Sequence, residues 1–179
     1  MNIITSIIIG VLSSFSASIV FTLFLRKLKP KISISDKISK STESGKFNDS
    51  GKKEYFAIKI INHRKRECLN VQAELTLTYS RNVGGGKIYR STKIELVKEK
   101  IISIPKFQKK SEDCFYAFRF RTLKNLEEMW QDENSHYRFR IIATDPISGI
   151  SKVFEKKYYT IKNTFSEGQF EKGLSMIIS

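Results

Sequence analysis

Apolar positions along this chain follow two different rules, and the change falls near residue 26. From Met1 to Leu25 no side chain is charged, and Ile7-Ile8-Ile9, Val11-Leu12 and Ile19 to Leu25 are apolar runs. About 20 such residues cross the roughly 30 Å of a bilayer's hydrocarbon as one helix. The stretch therefore predicts a transmembrane helix over 1–25. A cleaved signal peptide needs a basic leading region and an apolar core of about 7–15 residues before its small-residue cleavage site. Here no Lys or Arg precedes the apolar core, and a second apolar run follows Ser16-Ala17-Ser18 directly. An uncleaved anchor is the expectation.

From Tyr55 onward the period is two, the spacing of strands with one face dry. Val71 to Tyr79 alternates almost without error. Tyr55 to Ile61, Ile88 to Val97, Ile101 to Ile104, Phe115 to Arg121, Tyr137 to Thr144 and Val153 to Ile161 are further runs rich in β-branched and aromatic residues. Gly84-Gly85-Gly86 predicts a hairpin, and Asp145-Pro146-Ile147-Ser148-Gly149 predicts a tight turn. One short helix is expected after Thr122 as its cap, with Leu123, Leu126, Met129 and Trp130 on one face. Ile32 and Ile34 alternate with Ser33 and Ser35 and suggest a short first strand; the polar stretch beyond reads as a flexible or extended connection.

The expected organisation is a transmembrane helix at 1–25, a basic juxtamembrane and polar linker at 26–53, a β domain at 54–164 and a C-terminal tail at 165–179. The tail's apolar residues suit docking on the domain, on lipid or on a neighbouring subunit. The fold class is mainly β: a single N-terminal transmembrane helix, then an antiparallel β-sandwich (immunoglobulin-like) or β-barrel with one short helix. A Cys-Trp-Cys spacing of the antibody kind is absent.

Charge adds orientation. The chain has 179 residues, with 32 Lys and Arg against 18 Asp and Glu, a net charge of +14. Arg26, Lys27, Lys29 and Lys31 follow the span and no basic side chain precedes it, so the basic end is expected in the cytoplasm. That places the protein in the plasma (inner) membrane, with its N-terminus outside and its C-terminal domain in the cytoplasm. The same four residues form a collar suited to anionic headgroups. Within the span, Ser6, Gly10, Ser14, Ser18 and Thr22 recur every fourth residue, on one helix face. Small residues so placed let two helices approach closely, which predicts a homo-oligomer through the span; alternatively the hydroxyls bond their own helix backbone.

No catalytic constellation is visible: the chain has no Gly-x-Ser-x-Gly, no phosphate-loop motif and no His-Glu-x-x-His. Two cysteines and two histidines, widely separated, predict no metal site, and no cofactor is expected. Cys68 near His63 lacks an orienting third group, so a packed cysteine is the simpler reading. The chain reads as non-enzymatic.

The best chemical signal is basic and stranded. Phe118-Arg119-Phe120-Arg121 and Tyr137-Arg138-Phe139-Arg140 each set two arginines on one strand face. If the strands are neighbours, Arg119, Arg121, Arg138 and Arg140 share a face whose mutual repulsion an anionic ligand would relieve. Arginine's fork suits phosphate. The plainer reading is a solvated face whose arginines pair with nearby acids. His63-Arg64-Lys65-Arg66 and Lys106, Lys109 and Lys110 are further basic clusters, in loops, for headgroups, nucleic acid or solvent.

Three functions follow. The first is an oligomeric membrane effector whose β domain binds an anionic ligand such as a nucleotide signal. The second is a membrane-anchored docking module for an acidic protein partner. The third, not favoured because no nucleic-acid module is present, is a tethered nucleic-acid binder. In layout, the span at Ile3 to Leu25 with strands after Tyr55 is similar to short membrane effectors of bacterial nucleotide-signalled antiphage systems. That similarity implies the first function.

Overall fold

The computed structural model describes residues 3–44, 52–109, 112–130 and 134–179. A 25-residue helix, α1 (Ile3–Lys27), precedes ten strands. These are β1 (Ile32–Ile34), β2 (Ile38–Ser44), β3 (Lys52–Asn62), β4 (Cys68–Val83), β5 (Gly86–Ile94), β6 (Lys100–Ile104), β7 (Ala117–Thr122), β8 (His136–Thr144), β9 (Ser151–Tyr158) and β10 (Phe165–Glu167). Two single-turn helices, α2 (Leu126–Met129) and α3 (Ile161–Thr164), complete the set.

α1 buries none of its residues against the strands and is long and apolar enough to span a membrane. Pro30 cannot continue a helix, and the chain turns there into β1. The last carbonyls of a helix have no partner within it. Here arginines from the loop after β3 hold the last helical carbonyl and the two that follow it: Arg64 donates to Lys27 O and Lys29 O at 3.0 and 3.1 Å, and Arg66 to Leu28 O at 3.2 Å.

β3 is the middle of the first sheet. β1 and β2 pair along one of its edges (Ile34↔Ile60, Ser39↔Ala57), β7 pairs along the other (Ile58↔Phe120), and β10 adds to β2 in parallel. β4 is the middle of the second sheet, with β5 and β6 on one edge and β8 then β9 on the other. With each interrupted edge taken as one strand, three antiparallel strands face four. The chain changes sheet after β3, β6, β7 and β9. This is the Greek-key wiring of an immunoglobulin-like sandwich.

Alternation builds the core. Phe56, Ile58 and Ile60 from β3 and Phe120 from β7 face Leu75, Phe139 and Ile141 from the second sheet, all buried. Phe120 and Phe139 meet across the sandwich with ring centroids 5.8 Å apart. Tyr137, near the start of β8, is fully buried and donates from its hydroxyl to Leu126 O at 2.8 Å. A tyrosine bonding back across the corner before this strand is a hallmark of the fold. Burial holds its phenol well above the ordinary range.

Two expectations change here. The polar stretch after residue 31 is not all a connection: Ser35 bonds both ways with Lys59, and residues 32–34 and 38–44 are strands of the first sheet. The sandwich therefore begins at Ile32, before residue 54. Polar Ser and Lys on β2 hid it, because only alternate side chains of this strand face the core, so its composition reads as that of a loop. Residues 45–51 of the expected linker lie outside the described residues. The short helix is one turn starting three residues later than expected. Asn125 caps it, its Oδ1 accepting from Glu127 N and Glu128 N, while Thr122 donates to Glu95 O at 2.7 Å. The hairpin at Gly84–Gly85 and the turn at 145–149 form where expected. In the latter, Asp145 Oδ1 accepts from Ile147 N and Ser148 N.

Candidate anion-binding cleft

On β3 the residues facing away from the core are Tyr55, Ala57, Lys59 and Ile61, yet all four are buried. Lys59 is 1% exposed. A lysine so placed must have its ammonium hydrogen-bonded, since burying a bare charge is prohibitive. The C-terminal segment supplies the partners. It folds on itself through Gln169 and Ser179, which exchange both backbone bonds, and lies over the outer face of the first sheet. Lys59 Nζ donates to Glu171 O and Ser175 O, both at 2.7 Å. Arg119, opposite Lys59 on β7, donates to Phe170 O at 2.5 Å. Gly168 opens this strap at φ +114°, where an added Cβ would meet Ser179 O at 2.5 Å.

Between the strap and the β7 edge lies a cleft of about 480 Å³. Lys59, Lys98, Arg119, Arg121 and Lys172 line it, with Asp113 as the one acid among the described residues and Cys114, Phe118 and Gly173 among the rest. Arg121 is steered by Tyr55, its guanidinium 4.6 Å from the ring centre, a cation–π contact. Burial, then the charge of Arg119, lower the Lys59 ammonium from 10.5 to about 8. Five basic side chains around one acid make the cleft strongly electropositive, and its two arginines can each present a donor fork to phosphate.

The structure does not bring the four predicted arginines together. β7 belongs to the first sheet and β8 to the second, so Arg119 and Arg121 face away from the opposite side of the sandwich to Arg138 and Arg140. The two strands follow one another in sequence but cross between sheets at α2. Arg140 pairs with Glu155 at 2.8 Å, and its register partners are Glu74 and Glu155. Lys157 lies 3.7 Å from the same carboxylate, which Arg140 holds below its ordinary range. For Arg140 this is the acid-paired strand face that the plainer reading described. Arg138 stands opposite Lys157, and its Nε is buried without a hydrogen-bond partner.

Lys59, Lys98 and Lys172 went unread in the sequence. Lys59 had a signal: one charge inside the apolar run Tyr55 to Ile61. Cys68 is buried in the core, and burial pushes its thiol up to about 11, which removes it as a nucleophile at neutral pH. His63 bonds Ser33 at 2.8 Å. On α1, Ser18 and Thr22 donate to Ser14 O and Ser18 O within their own helix. Of the basic loop residues, Lys110 lies outside the described residues. The chain matches no protein-family model, and no curated protein matches it.

Proposed function

We propose that this chain is a single-span, membrane-anchored binding protein whose immunoglobulin-like domain receives a phosphate-bearing ligand in the cleft between β7 and the C-terminal strap. The observation that carries the reading is the composition of that cleft: five cationic side chains to one acid, on a surface otherwise closed by the chain's own tail. Arg119 and Arg121 are the ligand-binding arginines in this proposal; Arg138 and Arg140 lie on the outer face of the other sheet. In this reading the domain lies in the cytoplasm, under the plasma membrane, and the basic residues after α1 favour that orientation. The protein acts without catalysis. Contact between spans through Ser6, Gly10, Ser14, Ser18 and Thr22 is the proposed output, because small residues at that spacing let two helices approach closely.

The test is thermal unfolding of the full chain in mild detergent against mono-, di- and cyclic nucleotides. A ligand that binds the native state raises its melting temperature. One compound should raise it by several degrees; Lys98→Glu or Arg121→Glu should abolish the rise and Arg140→Glu should retain it. A flat response across the panel would sink the reading in favour of an acidic protein partner. In the same detergent Gly10→Ile should reduce the oligomer, and unchanged size would remove the span from the output.

A further inference from the structure

Loops distant in sequence meet at the end of the sandwich where α1 enters, and Asn62 joins them. Its side chain is buried; Oδ1 accepts from Arg64 N at 2.9 Å, and Nδ2 donates to Arg66 O and Pro105 O at 2.8 and 3.0 Å. Phe107 N donates to Arg64 O, and His63 N to Lys31 O. Arg66 carries on to Asp145 in the β8–β9 turn at 3.1 Å. The segments 26–31, 63–66, 105–109 and 145–149 therefore form one rigid end, and Arg64 bonds it to the last carbonyls of α1.

We infer that this end is a binding surface for anionic lipid headgroups, made by all these loops rather than by the residues after α1 alone. It rests on the reading of α1 as a membrane span. Lys29, Lys31, Lys65, Lys106 and Lys109 are exposed on it. Two exposed apolar side chains belong to segments bonded into this end: Ile147 in the turn held by Arg66, and Phe115, whose neighbour Tyr116 accepts from Asn62 N. Glu67, Glu112 and Asp113 are the exposed acids nearby, and Asp145 is buried against Arg66. Basic residues around exposed apolar tips suit the boundary of headgroup and acyl chain. A lipid surface is favoured over a free anion because the arginine bonds hold the loops at the end of the span. The surface potential of anionic lipid falls off over a Debye length of about 10 Å, so loops held at the end of the span feel it most strongly.

The test is hydrogen exchange of the full chain in nanodiscs, of phosphatidylcholine alone or with phosphatidylglycerol added. Amides of 63–66 and 105–109 should exchange several-fold more slowly in the anionic discs, and high salt should remove the difference. Lys65→Glu and Lys106→Glu should each cut the protection by about fivefold or more, the ratio that headgroup attraction corresponds to per basic residue. The β4–β5 hairpin, at the opposite end, should not respond. Equal exchange in both discs would overturn the inference while leaving the span intact. Failure of the chain to enter discs at all would overturn the span reading, and this inference with it.

Discussion

β7 and β8 carry nearly the same local sequence, Phe-Arg-Phe-Arg and Tyr-Arg-Phe-Arg, and the fold treats them oppositely. Both turn an aromatic inward, Phe120 and Phe139, and these two touch. Outward, the arginines of β7 meet the tail: Arg119 bonds its carbonyls, and both line a basic cleft beside it. The arginines of β8 meet neighbouring strands, where Glu155 interleaves with Arg140 and Lys157. The difference lies in what each sheet has over its outer face. The first sheet is roofed by the strap, so charge there is forced into fixed bonds. The second is open, and charge there is paired loosely in water. An alternating strand pattern specifies which side chains point out; it carries no information on what waits for them.

The inward equality is the comparison's largest prediction. Phe120→Ala and Phe139→Ala should each destabilise by about 3–5 kcal/mol, the usual cost of deleting a core phenylalanine. Unfolding followed by the fluorescence of the single Trp130, buried beside Tyr137, measures both. A loss from one that is far smaller than from the other would break the equivalence of the two strands. The outward contrast comes next. Lys59→Met should cost about 3 kcal/mol by orphaning the strap's carbonyls, and exchange of amides 169–179 should accelerate. Arg140→Met should stay within about 0.5 kcal/mol, as exposed ion pairs do. Equal effects would erase the distinction between roofed and open faces.

The smallest effect sharpens the same point through pH. The Lys59 ammonium is lowered to about 8 in the folded chain, against 10.5 ordinarily. Below pH 8 both states hold the proton, and the cost of burying the charge is present in full. Above it the folded chain releases its proton while the unfolded chain keeps its own, so unfolding takes up a proton and stability rises with pH. The gap between wild type and Lys59→Met should therefore widen from pH 8 to 9. A gap constant across the window would mean that the amine is hydrated.

Much of the frame was legible in the residues. The runs at Val71 to Tyr79 and Tyr137 to Thr144 became the paired central strands β4 and β8, because period-two alternation is the direct imprint of a half-buried strand. Gly84–Gly85 closed the hairpin expected of it. The cap of α2 was misplaced because Thr122 and Asn125 are both good caps, and the bond from Thr122 to Glu95 O, a long-range contact, decided between them. β2 was missed because its polar composition resembles a loop until β3 and β10 pair with it. Of the five basic residues lining the cleft, Arg119 and Arg121 were singled out in the sequence, but grouped with the arginines of β8, which lie on the other sheet.

What this sequence determined by itself is local: an uncharged helix long enough for a bilayer, strands with a dry and a wet side, turns at glycine and at Asp-Pro, and a strong excess of positive charge. These depend on residues within a few positions of one another. Tertiary structure alone decided which strands are neighbours, and so which arginines share a surface. It also decided that the tail covers Lys59, and that residues 31, 62, 66, 105 and 145 close one end around a single asparagine. Those arrangements join positions separated by many tens of residues, and they exist only once both sheets have closed on their common core.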